Sequence, residues 1–371
     1  MSTSFFRADT IGSLLRPAWL IEARKALRRG ELSVAGYKKF EDRAVAEAIA
    51  LQERCGLDVV NDGEQRRLSF LGSLVETTEG LTRTTALTKP WREDDGGVEQ
   101  LTLGLAVTGR LRRRRSLVCE EFTFARGRTE MPLKVTLPSP LMLFMFWSPE
   151  ESRAVYRDPF ELFADGAEVI REEIRELQRL GCEYIQIDAP ELAILVDPTA
   201  RHAVFEANGI SPERILTDGV DLINSLADAP GIHFGLHLCR GNNDGRWLSS
   251  GGYESISKAV FGRVRNYSSF LLEYDDRRSG GFEPLADVPR DSFVVLGLVS
   301  TKKNQLESAE ELRARIAEAS KYFPHDQMGL STQCGFASGI KGNPVDAAMQ
   351  ERKLRLVAEV AHSVWPSTHL K

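Results

Sequence analysis

Residues 234–242 read FGLHLCRGN, an apolar run typical of a β-strand that ends on polar side chains. Two later runs have the same form: residues 270–281, FLLEYDDRRSGG, and residues 329–336, GLSTQCGF. Because side chains alternate along a strand, His237 and Cys239 face the same side. Polar groups at the ends of three successive strands can converge only if the strands are parallel and their carboxyl ends face one cavity. This geometry is typical of a β/α barrel.

The rest of the chain favours the same fold, since short apolar runs alternate with long amphipathic ones. Residues 34–56 and 161–181 have apolar side chains at helical spacing, and each segment ends on glycine. We therefore predict an α/β fold, a TIM-type (β/α)8 barrel, in which residues 1–371 form a single domain. The eight predicted strands are FRADTIG, LDVVND, LKVTL, YIQID, HFGLHL, FLLEY, FVVLGLV and MGLST.

Residues 82–128 interrupt this alternation. The runs LTLGLAVTG and CEEFTFARG alternate as strands do, so we predict a β meander that is inserted between strands 2 and 3 and covers one end of the barrel. The segment also contains a basic run, Arg110 to Arg115. This run is typical of a solvated strand face or a subunit contact, which would make the protein a homo-oligomer. Recognition of an anionic substrate tail is the alternative.

The composition excludes several classes of protein. The 371 residues carry a formal net charge of −5, which argues against nucleic acid as a partner, and 42% of them are hydrophobic, enough for a large core. The five scattered cysteines suggest no disulfide framework and favour a reducing compartment. We find no secretory signal and no apolar run of the roughly 18 residues that a membrane span requires. We therefore expect a soluble, cytoplasmic protein.

The polar residues at the three strand ends are of the types that bind zinc. Two thiolates, one carboxylate and a neutral imidazole would give the site a net charge of about −1. Such a site suits the activation of a substrate thiol better than the activation of water. Singly, each residue is more often part of a buried core, but the joint pattern favours a metal site. The predicted ligands are His237, Cys239, Glu273 and Cys334.

Further polar residues follow the predicted strands 1, 2 and 4, namely Ser13, Glu64 and Asp188. Acids at this face of a barrel would bind the ammonium group of an amino-acid substrate. Backbone N–H groups at Ser13 would hold a carboxylate. The alternative for Glu64 and Asp188 is a structural ion pair with an arginine of the barrel. Candidate partners are Arg16, Arg66 and Arg67.

Seven motifs are distinctive: TIGSLLRP, DVVNDGEQRR, QIDAPE, HLCRGN, LEYDDRRSGGFEPL, VVLGLVSTKK and LSTQCGFAS. Through them the chain resembles, over nearly its whole length, the catalytic barrel of cobalamin-independent methionine synthase and its shorter single-barrel relatives. The resemblance implies one catalytic zinc ion on the same four ligands and no catalytic residue beyond that site. It also implies that Ile11 and Ser13 contact the carboxylate of homocysteine and that Glu64 and Asp188 contact its amine.

The resemblance implies methyl transfer to homocysteine, which gives methionine, but it leaves the methyl donor open. Residues 299–305, VSTKKNQ, lack the histidine that is thought to help protonate folate in the full-length enzyme. The chain is also too short for the second barrel that helps hold folate polyglutamate, so a methylated corrinoid is an alternative donor. The stacking tryptophan of the folate site falls at or beside Phe146, with Trp147 next to it. These two residues are the possible donor contacts.

The short relatives also resemble the epoxyalkane:coenzyme M transferases, in which a zinc-bound thiolate opens an epoxide. Coenzyme M carries a sulfonate and no amine. Glu64 and Asp188 favour an amino-acid thiol, whereas the basic run would suit a sulfonate. Methyl transfer to homocysteine is the main prediction and epoxide opening is the alternative. A non-catalytic thiol-binding zinc protein and a zinc hydrolase are rivals from other classes.

Overall fold

The structure, a computed structural model, describes residues 6–84, 87–93, 96–102 and 104–366. The strands are β1 Ala8–Asp9, β2 Thr78–Arg83, β3 Thr88–Arg92, β4 Val98–Thr102, β5 Leu105–Arg113, β6 Lys134–Pro138, β7 Tyr184–Asp188, β8 His233–Leu238, β9 Ser269–Glu273, β10 Phe293–Val299 and β11 Met328–Thr332. The α-helices are α1 Ala18–Arg28, α2 Val34–Cys55, α3 Gly72–Thr77, α4 Cys119–Arg126, α5 Pro149–Ser152, α6 Pro159–Arg179, α7 Pro190–Ile194, α8 Pro198–Val204, α9 Pro212–Arg214, α10 Val220–Asn224, α11 Ser257–Val260, α12 Ala309–Ala319 and α13 Ala347–Val364. Within the described residues, no helix combines the length and the apolar character that crossing a membrane requires.

Seven parallel strands form one curved sheet in the order β1-β11-β10-β9-β8-β7-β6. The segment around Val60 closes the ring. On one side the Asp58 N–H donates to the Ala8 carbonyl at 2.9 Å, and on the other the Lys134 N–H donates to the Val60 carbonyl at 2.8 Å. The predicted second strand is thereby reduced to a single parallel bridge, from Val60 to Leu133. The prediction of a TIM-type (β/α)8 barrel is confirmed.

Strands β7, β9, β10 and β11 of the barrel are buried along their whole length, as parallel strands with both faces covered are expected to be. Helix α6, on the outside, begins where Asp158 caps the backbone N–H of Phe160 at 3.0 Å. Helix α2 ends at Gly56, which has a φ of 82° and is thus in the left-handed region that glycine favours. Because all the strands run the same way, their carboxyl ends meet at one end of the barrel.

The inserted segment is a nested pair of hairpins and not a meander, in which consecutive strands would pair. Strand β2 pairs with β5, and β3 pairs with β4 between them. The prediction of a strand in CEEFTFARG was wrong, since Cys119–Arg126 is helix α4. Its buried residues, Cys119, Phe122 and Ala125, recur every three residues and so lie on one helical face. That the chain is a single domain with its insertion at residues 82–128 stays a prediction.

Candidate active site

One cavity of about 610 Å3, counting the space that opens to solvent, lies at the carboxyl ends of the barrel strands. Its lining residues fall into two chemical groups, which we call its polar half and its apolar half. The polar half is formed by Ser13, Glu64, Asp188, His237, Cys239 and Cys334. The apolar half is formed by Phe70, Trp91, Met142, Met145, Ile194 and Leu248. The predicted contact Ile11 also lines the cavity, which therefore contains seven of the predicted site residues.

A buried group that could hold a metal ion lies in the polar half. His237 and Cys239 come from the end of β8, and Cys334 follows β11. Their ligand atoms all lie within 4.8 Å of one another, and the two sulfur atoms are 3.8 Å apart. The alternation of side chains along β8 and the parallel course of β8 and β11 produce this convergence.

The hydrogen bonding of His237 is that of a metal ligand. Its Nδ1 lies 3.0 Å from the Leu271 carbonyl, which can only accept, so Nδ1 carries the proton. Its Nε2 is buried and makes no hydrogen bond in the described part of the chain. An orphaned nitrogen beside two thiols is costly unless a further group binds there.

The two thiols differ in how readily each loses its proton. Contact with Cys239, and then with His237, lowers the pKa of Cys334 well below its usual range. Contact with Cys334, and then burial, raises the pKa of Cys239 well above it. The pair therefore loses its first proton readily, and the second leaves only if a cation compensates for the added charge.

Glu273 ends β9 and is completely buried, but its carboxylate does not belong to the His/Cys group. Lys302 Nζ donates to Oε1 at 2.9 Å, and the backbone N–H of Arg240 donates to Oε2 at 2.5 Å. Burial alone would raise the pKa of Glu273, but Lys302 and then Arg240 hold it at about 2. The structure thus brings three of the four predicted ligands together and ties the fourth to a buried lysine that the sequence pattern did not single out.

Two carboxylates, Asp188 and Glu64, lie in the same polar half. Burial, opposed by His237 and assisted by Glu64, raises the pKa of Asp188 to about 7. Asp188 accepts a hydrogen bond from Gln186 at 2.7 Å, and Glu64 accepts one from Thr136 at 2.8 Å. The described residues that line the cavity include no lysine and no arginine. A small cation such as an ammonium group would therefore be bound favourably here.

The predicted alternative, ion pairs with barrel arginines, accounts for these acids only in part. Arg67 lies 3.5 Å from Glu64 but pairs more closely with Glu121, at 2.9 Å. Arg16 donates to backbone carbonyls, and Arg66 pairs with Glu41 and Asp42. Among the described residues, none of the three forms an ion pair with Asp188.

Phe146 and Trp147, the possible donor contacts, do not line the cavity. Both are buried in the core, and the Trp147 indole N–H donates to the Asn208 carbonyl at 2.9 Å. The 3-10 helix Pro140–Phe146 instead presents Met142 and Met145 to the cavity. Sequence reasoning missed these two, although a spacing of three residues in LMLFM places them on one helical face.

Trp91, also missed, comes from the nested hairpin. The hairpin is fastened to the loop after β8, since Arg92 and Trp247 exchange two backbone hydrogen bonds of 2.8 and 3.1 Å. Ion pairs support this contact: Arg92 binds Asp197 at 2.6 Å, and Arg246 binds Glu93 at 2.7 Å. Strand β3 therefore holds Trp91 over the cavity. No local pattern around this tryptophan indicates its placement, which depends on pairing between distant segments.

The basic run of the insertion points away from the cavity. Arg110 lies on the ring of Tyr156 and pairs with Asp165 at 3.4 Å, and Arg113 bonds to both Glu173 and Glu176. These two arginines fasten β5 to helix α6 and its neighbourhood. Neither is placed to bind an anionic substrate tail in the cavity.

Comparisons with known proteins agree with this geometry. The family described as "Cobalamin-independent synthase, Catalytic domain" matches residues 6–362. A solved structure from Listeria monocytogenes, a putative vitamin-B12 independent methionine synthase, has a TM-score of 0.72 and 26% sequence identity, and the match covers 99% of this chain and 100% of that one.

Two proteins that are similar in sequence differ in how much of their own length this chain matches. The uncharacterized protein YxjG of Bacillus subtilis is 34% identical over 97% of this chain and 95% of its own length. The 5-methyltetrahydropteroyltriglutamate–homocysteine methyltransferase of Mycobacterium bovis is 28% identical over 88% of this chain, which corresponds to 39% of that protein. By the extent of the family match, the chain belongs to the family of cobalamin-independent synthase catalytic domains.

Proposed function

We propose that this protein is a zinc-dependent enzyme that transfers a methyl group to the thiol of homocysteine, giving methionine. The family supports methyl transfer, and the mycobacterial relative is named for this acceptor. One observation carries the proposal: a His/Cys group and two carboxylates share one cavity. An amino acid with a thiol needs both features, one for its sulfur and one for its ammonium group.

The donor atoms present fit zinc. Zinc binds imidazole nitrogen and thiolate sulfur in compact four-coordinate sites, and His237, Cys239 and Cys334 supply three such atoms. Glu273 is the residue that would hold the ion from the fourth side. When bound, zinc holds a substrate thiol as a thiolate at neutral pH, and a ligand set with two thiolates keeps that sulfur electron-rich.

The residues of the polar half orient the amino acid. The ammonium group would lie between Asp188 and Glu64 and would keep Asp188 ionised, since a nearby positive charge lowers a carboxyl pKa. The carboxylate of the substrate would lie against the chain at Ile11 and Ser13. Glycine at position 12 lets Glu64 lie close to this backbone, because a Cβ at Gly12 would come within 2.9 Å of Glu64 Oε1.

The cavity offers less to coenzyme M. A sulfonate needs a cation or several N–H donors, and the described lining residues contain no lysine and no arginine. The arginines that would have favoured this alternative, Arg110 and Arg113, pair with acids elsewhere. We therefore prefer homocysteine to coenzyme M as the thiol.

Calorimetric titration of the zinc-loaded protein with homocysteine, in buffers of different ionisation heat, tests the proposal. We expect binding with release of about one proton per site, because a metal-bound thiol is deprotonated. The same binding should persist in Cys182→Ala, a matched control that removes a buried cysteine outside the cavity. Binding of coenzyme M but not of homocysteine, or binding without proton release, would contradict the proposal.

The five cysteines are all unpaired, which supports a reducing compartment such as the cytoplasm. That the protein forms a homo-oligomer stays a prediction.

A further inference from the structure

The apolar half of the cavity has no group that would bind an anionic methyl donor. Its six residues are uncharged, and the charged groups elsewhere in the lining are the carboxylates and thiols of the polar half. A donor with several carboxylates would meet charge of its own sign there. A positively charged donor would be attracted instead.

Trp91 gives this half an aromatic wall close to the loop that follows Cys239. It is 7% exposed, and its Cζ3 lies 3.1 Å from the position that a Cβ would take at Gly241, two residues beyond Cys239. Its Nε1 makes no hydrogen bond to the described residues and is free for a ligand. Phe70 adds a second ring, and the sulfur atoms of Met142 and Met145 are polarizable. Aromatic faces of this kind attract alkylated cations.

The residues of the apolar half include no acid that could protonate a leaving group, and in the proposed function Asp188 and Glu64 are engaged by the ammonium group of the substrate. A methyl group bound to an amine nitrogen departs easily only if that nitrogen receives a proton in the transition state. Phe70, Met142, Met145, Ile194 and Leu248 cannot donate one. The walls therefore suit a donor whose leaving group departs as a neutral molecule without protonation.

A small alkylated cation satisfies all three observations, and among such cations a sulfonium is a better methyl donor than a quaternary ammonium, because a neutral thioether is the better leaving group. Resting on the proposed function, we propose that the methyl donor is a small sulfonium compound, a methylated thioether of about amino-acid size, with its methyl-bearing sulfonium centre against Trp91. Trp91 is then the residue that determines donor specificity. The cavity, whose volume of about 610 Å3 includes space open to solvent, has to hold the thiol as well as the donor, which favours a small donor.

The transfer balances without any further reactant. A lone pair of the homocysteine thiolate forms the new bond to the methyl carbon. The bond from that carbon to the sulfonium sulfur breaks, and its electron pair stays on the departing sulfur. One negative and one positive charge become two neutral thioethers, and no proton is transferred.

The experiment compares three donors with the zinc-loaded protein and homocysteine: S-methylmethionine with a labelled methyl group, 5-methyltetrahydrofolate triglutamate, and methyl iodide, which needs no recognition. We expect kcat/KM for the sulfonium to exceed that for the folate at least 100-fold. If methyl iodide reacts but the sulfonium does not, or if the folate is the better donor, this inference is overturned and the proposed function stands. If methyl iodide also fails, the proposed function fails with it.

Variants of Trp91 test whether this residue is responsible for the preference for the sulfonium. The quantity to compare is kcat/KM for the sulfonium divided by the rate with methyl iodide. In Trp91→Leu this ratio should fall about 10-fold. In Trp91→Phe the ratio should stay within threefold of the wild-type value. The control Val98→Ala, on the exposed side of the same hairpin, should leave both rates unchanged. An unchanged ratio in Trp91→Leu would overturn the role of the aromatic face.

A binding measurement without metal separates charge from shape. The trimethylammonium analogue of the donor and its uncharged tert-butyl isostere have nearly the same shape. The cation should bind the metal-free protein at least 10-fold more tightly, and Trp91→Leu should abolish this difference. Equal binding of the two analogues would overturn the inference.

Discussion

The two halves of the cavity are built by different means. The polar half comes from the ends of barrel strands, where the sheet fixes each side chain, and it carries the charges and the metal-binding atoms. The apolar half comes from the inserted hairpin, a 3-10 helix, helix α7 and two loops, and its side chains are uncharged. Under the proposed function, the strand ends would supply the groups that activate the thiol, and the apolar half would supply selectivity for the donor.

The largest effect is expected from Cys239→Ser, in the polar half. The variant should lose zinc and at least 1000-fold in rate, about 4 kcal/mol of transition-state stabilisation, because a hydroxyl is a poor zinc ligand. Metal content by atomic emission and single-turnover kinetics measure the two losses. A zinc-free variant with full activity would show that the polar half does not work through a metal.

The next largest effect is expected from the buried ion pair between Lys302 and Glu273. In Lys302→Met the carboxylate loses the ammonium that it faces at 2.9 Å, and breaking a buried pair costs about 3 kcal/mol. The metal-free variant should therefore lose about that much free energy of unfolding in denaturant titrations. If Glu273 is a zinc ligand, bound zinc should restore much of this lost free energy of unfolding. Equal losses with and without zinc would argue that Glu273 is not a ligand.

A smaller effect separates recognition from chemistry. Asp188→Asn should keep zinc but raise KM for homocysteine about 30-fold, since a hydrogen bond to a charged group contributes about 2 kcal/mol. The matched probe is 4-mercaptobutyrate, which has the thiol and carboxylate but no amine, and its KM should change little. If both thiols weaken equally, Asp188 acts on the site as a whole and not on the ammonium group.

The smallest effect is a dependence of stability on pH. Glu191, completely buried next to the polar half, has its pKa raised by burial to about 8. A raised carboxyl pKa means that its contribution is complete below about pH 4.5 and is lost as the pH rises towards 8. Glu191→Gln removes this dependence, so its stability relative to the wild type should grow by about 1.4 kcal/mol from pH 6 to pH 7. Denaturant titrations that stay parallel over this range would contradict it.

The same division explains what the sequence could predict. The polar half was predictable because His237, Cys239 and Cys334 stand at the ends of apolar runs, and their residue types are rare there. Glu273 does end a barrel strand, but its role as a metal ligand stays a prediction. Its pairing with Lys302 was not predicted, since a loop lysine gives no sign of being buried.

The apolar half was not predictable. Phe146 and Trp147 look the same in sequence whether they line a cavity or fill the core, and their true orientation depends on the turns of a short 3-10 helix. Trp91 reaches the cavity only through pairing of its hairpin with a loop more than 150 residues away in sequence. The segment CEEFTFARG alternates as a strand does, but it forms a helix in which Phe122 and Ala125, one helical turn apart, are both buried.

The nested hairpin also affects how such a barrel can diversify. Its base is closed by the pairing of β2 with β5. Among the described residues, β3 is fastened to the rest of the molecule by the backbone pairing of Arg92 with Trp247, by the nearby ion pairs and by the buried side chains of Lys89 and Trp91. Substitutions at the tip would therefore leave the barrel intact while they change the wall that faces the second substrate. The hairpin is a natural unit for recombination and for engineered libraries, in which new alkyl donors could be selected without disturbing the metal centre.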